Sequence, residues 1–366
     1  MAVLPPGHSS TRQNSPTPSL ASPLAADPAH QPCVQRHCAS GRQASRRAFG
    51  WRRAFSAAIK SFFSKKALAP AAALLLALTT TACSLKKIAV NKLGDSLASG
   101  GTTFSSDDDP DLVGEALPFS LKLMESLLAE NPKHRGLLLA ACSGFTQYAY
   151  VYVQVPAEEV EDQDLAKSDY LRVRARHLYV RARNYGLRDL EISHPHFESE
   201  LRADPKTAVR KAVIKDVPLL YWTAVSWGAA ISVSKDDPEM IADQPIVEAL
   251  IDRAYELEPD YDSGAIDSFL ITYESVRRTA SGDFVPRSRK HFERAVELSA
   301  GQAAAPYVSL ATTVSVSTQD HEEFETLLKK ALAVNPDARP EWRLTNLVMQ
   351  RRARWLLSRE DELFVK

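Results

Sequence analysis

From Leu85 onward the apolar positions recur with a helical period, and runs of alternating β-branched residues are scarce. Leu117, Leu121, Met124 and Leu128 fall at steps of four, three and four, which puts them on one face of a helix. The start of that helix is also written in the chain. Asp107-Asp108-Asp109-Pro110 supplies a capping carboxylate, Asp109, followed by Pro at the first helical position, where a missing N–H costs nothing. The same device recurs at Asp236-Asp237-Pro238-Glu239, with Asp237 as the cap. Each start is followed by a closing Pro, Pro132 or Pro259, 22 or 21 residues later, so the pair reads as an internal repeat.

A second recurrence extends the pattern. Ala254-x-x-Leu257-x-Pro259, Ala295-x-x-Leu298-x-Ala300 and Ala331-x-x-Val334-x-Pro336 stand 41 and 36 residues apart, each closing an amphipathic helix. A small residue at a close-packing point and a Pro opening the next turn mark a tetratricopeptide-like helix pair, whose period is about 34 residues. The match is degenerate, without the Trp-Leu-Gly-Tyr pattern. Helices over 137–153, 219–233 and 263–278 are the expected partners. Stacked pairs bury a core that no single pair can close, so the expected fold is an all-α, tetratricopeptide-like solenoid of about ten to twelve helices.

Two of these helices mix aromatic with small residues: Ser143 to Tyr152 and Tyr221 to Ile231. Phe145, Tyr148 and Tyr152 share a face at steps of three and four, and Gly144 permits close backbone approach. One reading is a stripe of core residues. The other is that these rings, with Trp222 and Trp227, line a channel or pocket for an apolar or amphipathic ligand. Thr146, Gln147 and Thr223 would supply its few polar groups.

Ahead of the periodic region the pattern changes. Ala67 to Ala82 is an apolar run of 16 residues, preceded by Lys65 and Lys66 and closed by Thr81-Ala82-Cys83. The run is short of the roughly 20 residues that span a bilayer. A basic segment, an apolar segment and small residues at a cleavage point make a secretory signal instead. A cysteine just beyond that point resembles a bacterial lipobox, with Cys83 as the lipidated first residue that ties the chain to a membrane. Thr80 stands where such boxes usually carry Leu, and the alternative is that Cys83 is an ordinary residue after a conventional cleavage. Ser84 in second place, in contrast to the Asp that retains lipoproteins at the inner membrane, favours the outer membrane. Residues 1–50 lack an apolar period and read as a disordered leader or a mis-assigned start, 51–82 as the signal, and 83–366 as the helical domain.

Charge follows the same division. The chain totals of 45 basic and 45 acidic residues leave 35 and 44 for 83–366, so that part is acidic. Nucleic acid is excluded as a partner, because phosphates need a basic face. Arg172, Arg174, Arg176, Arg181 and Arg183, interleaved with apolar residues, read as a solvated helix face or a docking surface for an acidic partner. Of the cysteines, Cys142 lies alone in an apolar segment and reads as a small buried hydrophobe. Cys33, His37 and Cys38 have no periodic segment around them to hold a metal.

Catalytic patterns are missing. The chain has no Gly-x-Ser-x-Gly, His-Glu-x-x-His, phosphate-binding Gly-Lys-Ser/Thr or Gly-x-Gly-x-x-Gly, and no cofactor or metal is expected. Ser84-x-x-Lys87 lacks the companion motifs of penicillin-binding enzymes. His194-Pro-His196 with Glu198 and Glu200 could form a metal nest, but the stretch reads first as a polar loop. The carboxylates of Asp107 to Asp109 lack the glycine and spaced ligands of a calcium loop, and capping accounts for them.

Ser105-Ser-Asp-Asp-Asp-Pro-Asp-Leu112, Glu115-Ala-Leu-Pro-Phe119, Leu123 to Pro132, Gly144 to Tyr150 and Tyr221 to Ala230 together resemble the TRAP-transporter-associated T component, the TatT family. The likeness runs over about 86–355. It implies a periplasmic lipoprotein with cryptic tetratricopeptide motifs that associates with the solute-binding P component of a TRAP transporter. It further implies a homotrimer with a pore through each protomer, and an organic, hydrophobic solute. A generic envelope scaffold with the same fold, and a metal-dependent hydrolase using the His194 region, are the alternatives.

Overall fold

The computed structural model describes residues 91–98 and 103–365. The apolar run, Cys83, the leader at 1–50 and the signal at 51–82 lie outside the described residues. Among the described residues there is no strand, and the fold is all-α. A helix over 91–98 precedes the main series: α1 (Pro110–Glu130), α2 (Arg135–Ala149), α3 (Leu165–Ser193), α4 (Val217–Ser232), α5 (Gln244–Leu257), α6 (Ala265–Tyr273), α7 (Val285–Leu298), α8 (Ala305–Leu310), α9 (His321–Ala333) and α10 (Arg343–Leu357). No helix among the described residues is long and apolar enough to cross a membrane.

The start of α1 is fixed by Asp109, whose carboxylate accepts the N–H groups of Asp111 and Leu112. Asp237 accepts the N–H of Met240 in the same way. The two helices then differ. After Asp237 the helix stops at Ala242, turns at Asp243, and restarts as α5 with Pro245 in its first turn. A Pro ring there is compatible with a helix start and not with an interior, so the continuous helix expected from Pro238 to Pro259 is two.

The expected helix over 137–153 runs longer than its Pro156 would suggest. After α2 the chain winds through a π-helical turn, Tyr150–Gln154, and continues as a helix over Val155–Val160 with Pro156 in its first turn. The wider turn re-aims the carbonyls that the Pro ring would otherwise strike. A second π-helical turn, Ala311–Ser315, follows α8 without any Pro. There Thr312 and Thr318 donate their hydroxyls back to the carbonyls of Val308 and Val314, a competition with the helix ladder that loosens its winding.

Successive helices pack as neighbours: α2 on α3, α3 on α4, α4 on α5, then α6 on α7 and on α8, α8 on α9, and α9 on α10. The helix-closing alanines Ala254, Ala295 and Ala331 are all fully or almost fully buried. At Ala295 the reason is visible. Gly264, in a left-handed conformation at φ 94°, brings its backbone so near that an added Cβ would lie 3.2 Å from the Ala295 Cα. Among the described residues four apolar cores result, one of them a small cluster of Ala149, Val153, Ala175, Tyr179 and Ala230. Of the other three, one surrounds Leu121, Leu138 and Phe145, a second Leu220, Trp227 and Leu250, and a third Val314, Phe324 and Leu328. Each fully buried leucine contributes about 2 kcal/mol relative to an exposed one.

The last long helix also meets the first. Leu344 donates its N–H to the carbonyl of Ser105 at 3.0 Å, and Arg343 donates to the carbonyl of Ser106. Arg351 pairs with Asp111 at 2.9 Å, Arg352 with Glu158 and Arg359 with Asp162. The helical series therefore returns to its own beginning through a polar seam.

Candidate functional site

Three of the five aromatic residues singled out in the sequence meet where α1, α2 and α3 come together. Phe145 is 3% exposed and stacks on Tyr185 of α3 at 6.0 Å between centroids. Tyr148 and Tyr152 lie 5.6 Å apart, and the Tyr152 hydroxyl donates to the carbonyl of Pro110 at 2.6 Å, tying the aromatic stripe to the start of α1. Burial, the largest effect, and then the nearby Asp111 push the Tyr152 phenol up to about 12.

Arginines of α3 cover these rings. Arg174 lies 5.9 Å from the Tyr148 centroid and donates to its hydroxyl at 3.2 Å, while Arg181 lies 5.4 Å from Phe145. A guanidinium over an aromatic face is attracted by the ring quadrupole, which helps to hold both cations in place. Glu125 of α1 is the acid in this group. It accepts from Tyr185 at 2.7 Å and from Lys122 at 2.5 Å, and stands 3.7 Å from Arg181. The arginine run thus divides. Arg172 pairs with Glu161, and Arg176 stands 3.8 Å from Asp237, whereas Arg174 and Arg181 cap aromatic rings.

The two tryptophans lie elsewhere. Trp227 is fully buried in the α4–α5 core, donates its indole N–H to Asp243 at 3.1 Å, and is covered by Arg183 at 4.6 Å and Arg202 at 5.5 Å. Burial and the neighbouring Arg202 lower the Arg183 pKa. Trp222 is half-buried on another face of α4, edge-on to Tyr221, which in turn packs against Tyr261. The five rings expected around one ligand therefore fall into three separate surroundings. Thr146 and Thr223 are buried, and Gln147 is exposed.

Three of the four side chains of the would-be metal nest near His194 are engaged by other protein groups. His194 Nε2 sits 2.9 Å from the fully buried Asp216, Glu198 takes Arg202, and Glu200 takes Lys211. His196 adopts a left-handed backbone, at φ 68°, and its N–H donates to Glu191. Among the described residues, the donor atoms that do converge are those of His321, Glu325 and Glu360, within 4.8 Å of one another. Lys329, 2.5 Å from Glu325, already balances part of that charge. Cys142 is fully buried, and burial pushes its thiol up to about 12, which keeps it protonated and unreactive.

Sequence reasoning missed the seam between α10 and the beginning of the series, because residues about 200 positions apart carry no local signal of pairing. The arginines at 351, 352 and 359 were the available hint. It also missed the π-helical turn that carries Tyr150 and Gln154 to the buried hydroxyl of Tyr179, which donates to the Gln154 amide oxygen at 2.6 Å.

A family model described as the TRAP transporter T-component matches residues 106–364. A protein of Treponema pallidum (strain Nichols), titled only as uncharacterized, is 27% identical over 301 residues, which cover 77% of this chain and 93% of the relative. The match begins at the polar segment ahead of α1 and ends beyond α10, so it takes in both sides of the seam and every ring described above. The family is of a transport component and not of an enzyme. By this match over most of its length, the chain belongs to the TRAP transporter T-component family.

Proposed function

We propose that the chain serves a TRAP-type uptake system as an accessory component of the bacterial envelope, anchored by lipid on Cys83 and facing the periplasm. In this reading it binds the solute-binding protein of that system and passes an organic, largely hydrophobic solute through a pore in the helical domain. A trimer of the chain and an outer-membrane site belong to the same reading. The observation that carries it is the family match over 106–364, laid on a helical series whose last helix meets its first. Trp222 and Tyr148, half-buried rings on α4 and α2 that lie in separate surroundings, are proposed as two separate contacts for the solute's apolar part.

The test is transport. Deletion of the gene should abolish or strongly reduce uptake of the solute carried by the cognate TRAP system, and the wild-type gene should restore it. Cys83→Ser, expected in the soluble fraction, should restore it only in part. Unchanged uptake in the deletion strain would contradict the assignment.

A further inference from the structure

We propose that His321, Glu325 and Glu360 form a binding site for a divalent transition-metal ion, zinc in particular, that ties the end of the chain to α9. His321 opens α9, and Glu325 follows four residues later, so the two side chains share one face of the helix. The third donor comes from a different element, the short helix Glu360–Leu363. One donor atom from each of the three residues lies within 4.8 Å of the other two.

The spacing suits a metal better than a hydrogen bond. Zinc takes imidazole nitrogen and carboxylate oxygen at about 2.0–2.2 Å in a tetrahedron, which sets neighbouring donors roughly 3.4 Å apart. His321 Nε2 stands 3.4 Å from Glu360 Oε2. A hydrogen bond between them would normally close to about 2.7–3.2 Å. Glu325 and Glu360 also come within hydrogen-bonding range of one another, and two carboxylates in contact are stabilised by a shared cation. Lys329 engages Glu325 at 2.5 Å. A carboxylate has two oxygens and about four lone-pair sites, so this pair leaves Glu325 able to take an ion as well. The imidazole selects a transition ion over calcium or magnesium, which take oxygen ligands.

The donors are held in place by their neighbours. The His321 ring packs edge-on against Phe364 at 5.0 Å, and Phe364 packs against the fully buried Phe324 at 5.1 Å. Gln319 accepts the N–H of Val365 at 2.8 Å and donates to the carbonyl of Leu363, which fastens the tail beyond Glu360 beside the start of α9. On the other side of Glu360, Arg359 reaches Asp162. The three donor side chains are one-third to one-half exposed, so an ion can reach them from solution. Three protein donors leave the fourth position of a tetrahedron to water. Zinc held here joins the two elements that carry its ligands, and an ion that binds only the folded chain stabilises it by mass action.

The test titrates the full-length protein, stripped of metal by a chelator, with zinc alone in a calorimeter, beside the variant His321→Ala/Glu325→Gln/Glu360→Gln. Comparison with that variant removes binding elsewhere in the chain, at Cys33, His37 and Cys38 for example. A zinc ion bound by the wild type and lost in the triple variant is expected. Loss of an outer-shell partner costs about 10–100-fold in metal affinity, so Glu360→Gln, which removes a direct ligand, should weaken binding about tenfold or more. Lys329→Met, which frees Glu325 and removes a nearby positive charge, should tighten it. Zinc should slow hydrogen exchange over 360–365 in the wild type and not in the triple variant, and calcium should slow it in neither. Should His321→Ala disturb the packing on Phe364, seen as a lowered thermal midpoint without metal, the single variants Glu360→Gln and Lys329→Met are read instead. Equal zinc binding by the wild type and the triple variant, wild-type affinity in Glu360→Gln, or exchange over 360–365 that zinc does not change would each overturn the site.

Discussion

Gly186 shows how far single residues set the fit between α3 and α4. A Cβ at this position would overlap the hydroxyl of the buried Thr223 and come 3.1 Å from the Cys142 sulfur, so three helices meet where only hydrogen fits. Gly186→Ala should therefore cost about 1–3 kcal/mol of stability, the usual penalty of overpacking, and lower the thermal midpoint. Thr223→Ala removes the colliding oxygen, which has no hydrogen-bond partner, and should recover much of the loss in the double variant. Undiminished stability in Gly186→Ala alone would contradict this contact. At this scale the sequence was legible where the signal is local. The cap residues Asp109 and Asp237 bond N–H groups two or three positions away, so their roles can be read in a few letters. Trp227 was not legible in the same way, because its partners Asp243, Arg183 and Arg202 come from three separate segments.

Helices bring such residues together, and Glu323 in α9 is an example. Its carboxylate accepts from Arg289 of α7 and, at 2.7 Å, from the hydroxyl of Ser315 in the second π-helical turn. The Arg289 hydrogen bond, the largest effect, holds the Glu323 carboxyl below its ordinary value of 4.5. A folded pKa below the unfolded one stabilises the protein above the ordinary value, and that contribution is lost as pH falls through the folded value. Glu323→Gln should thus be less stable than wild type at neutral pH, and the gap should narrow as pH is lowered below 4.5 in urea titrations. A gap independent of pH would contradict the ion pair. The element pattern itself was largely legible: helices were expected at 137–153, 219–233 and 263–278, and α2, α4 and α6 overlap them. What the period could not show was winding. The π-helical turns and the break at Asp243 depend on which carbonyl each Pro or hydroxyl meets, and an apolar repeat of three and four residues does not record that.

At the scale of the molecule, closure of the series rests on α10. Arg352 is 12% exposed, stacks 4.3 Å from the Trp355 ring and reaches Glu158, while Arg359 reaches Asp162. Charge-assisted bonds of this kind are worth about 1.5–3 kcal/mol. Arg352→Gln/Arg359→Gln should speed hydrogen exchange in α10 and in the segment over 155–164, and leave α4 and α5 as protected as before. Uniform loss of protection, or none, would contradict a local seam. Closure was the least legible feature, since the ion pairs join residues 194 and 197 positions apart. The family resemblance supplied what periodicity could not, and the match over 106–364 bears out the family. The most direct measurement of the account is a calorimetric titration of the purified protein with the solute-binding protein of its TRAP system. A saturable complex of fixed stoichiometry is the predicted result; no heat of binding at any concentration reached, with both proteins folded, would contradict it.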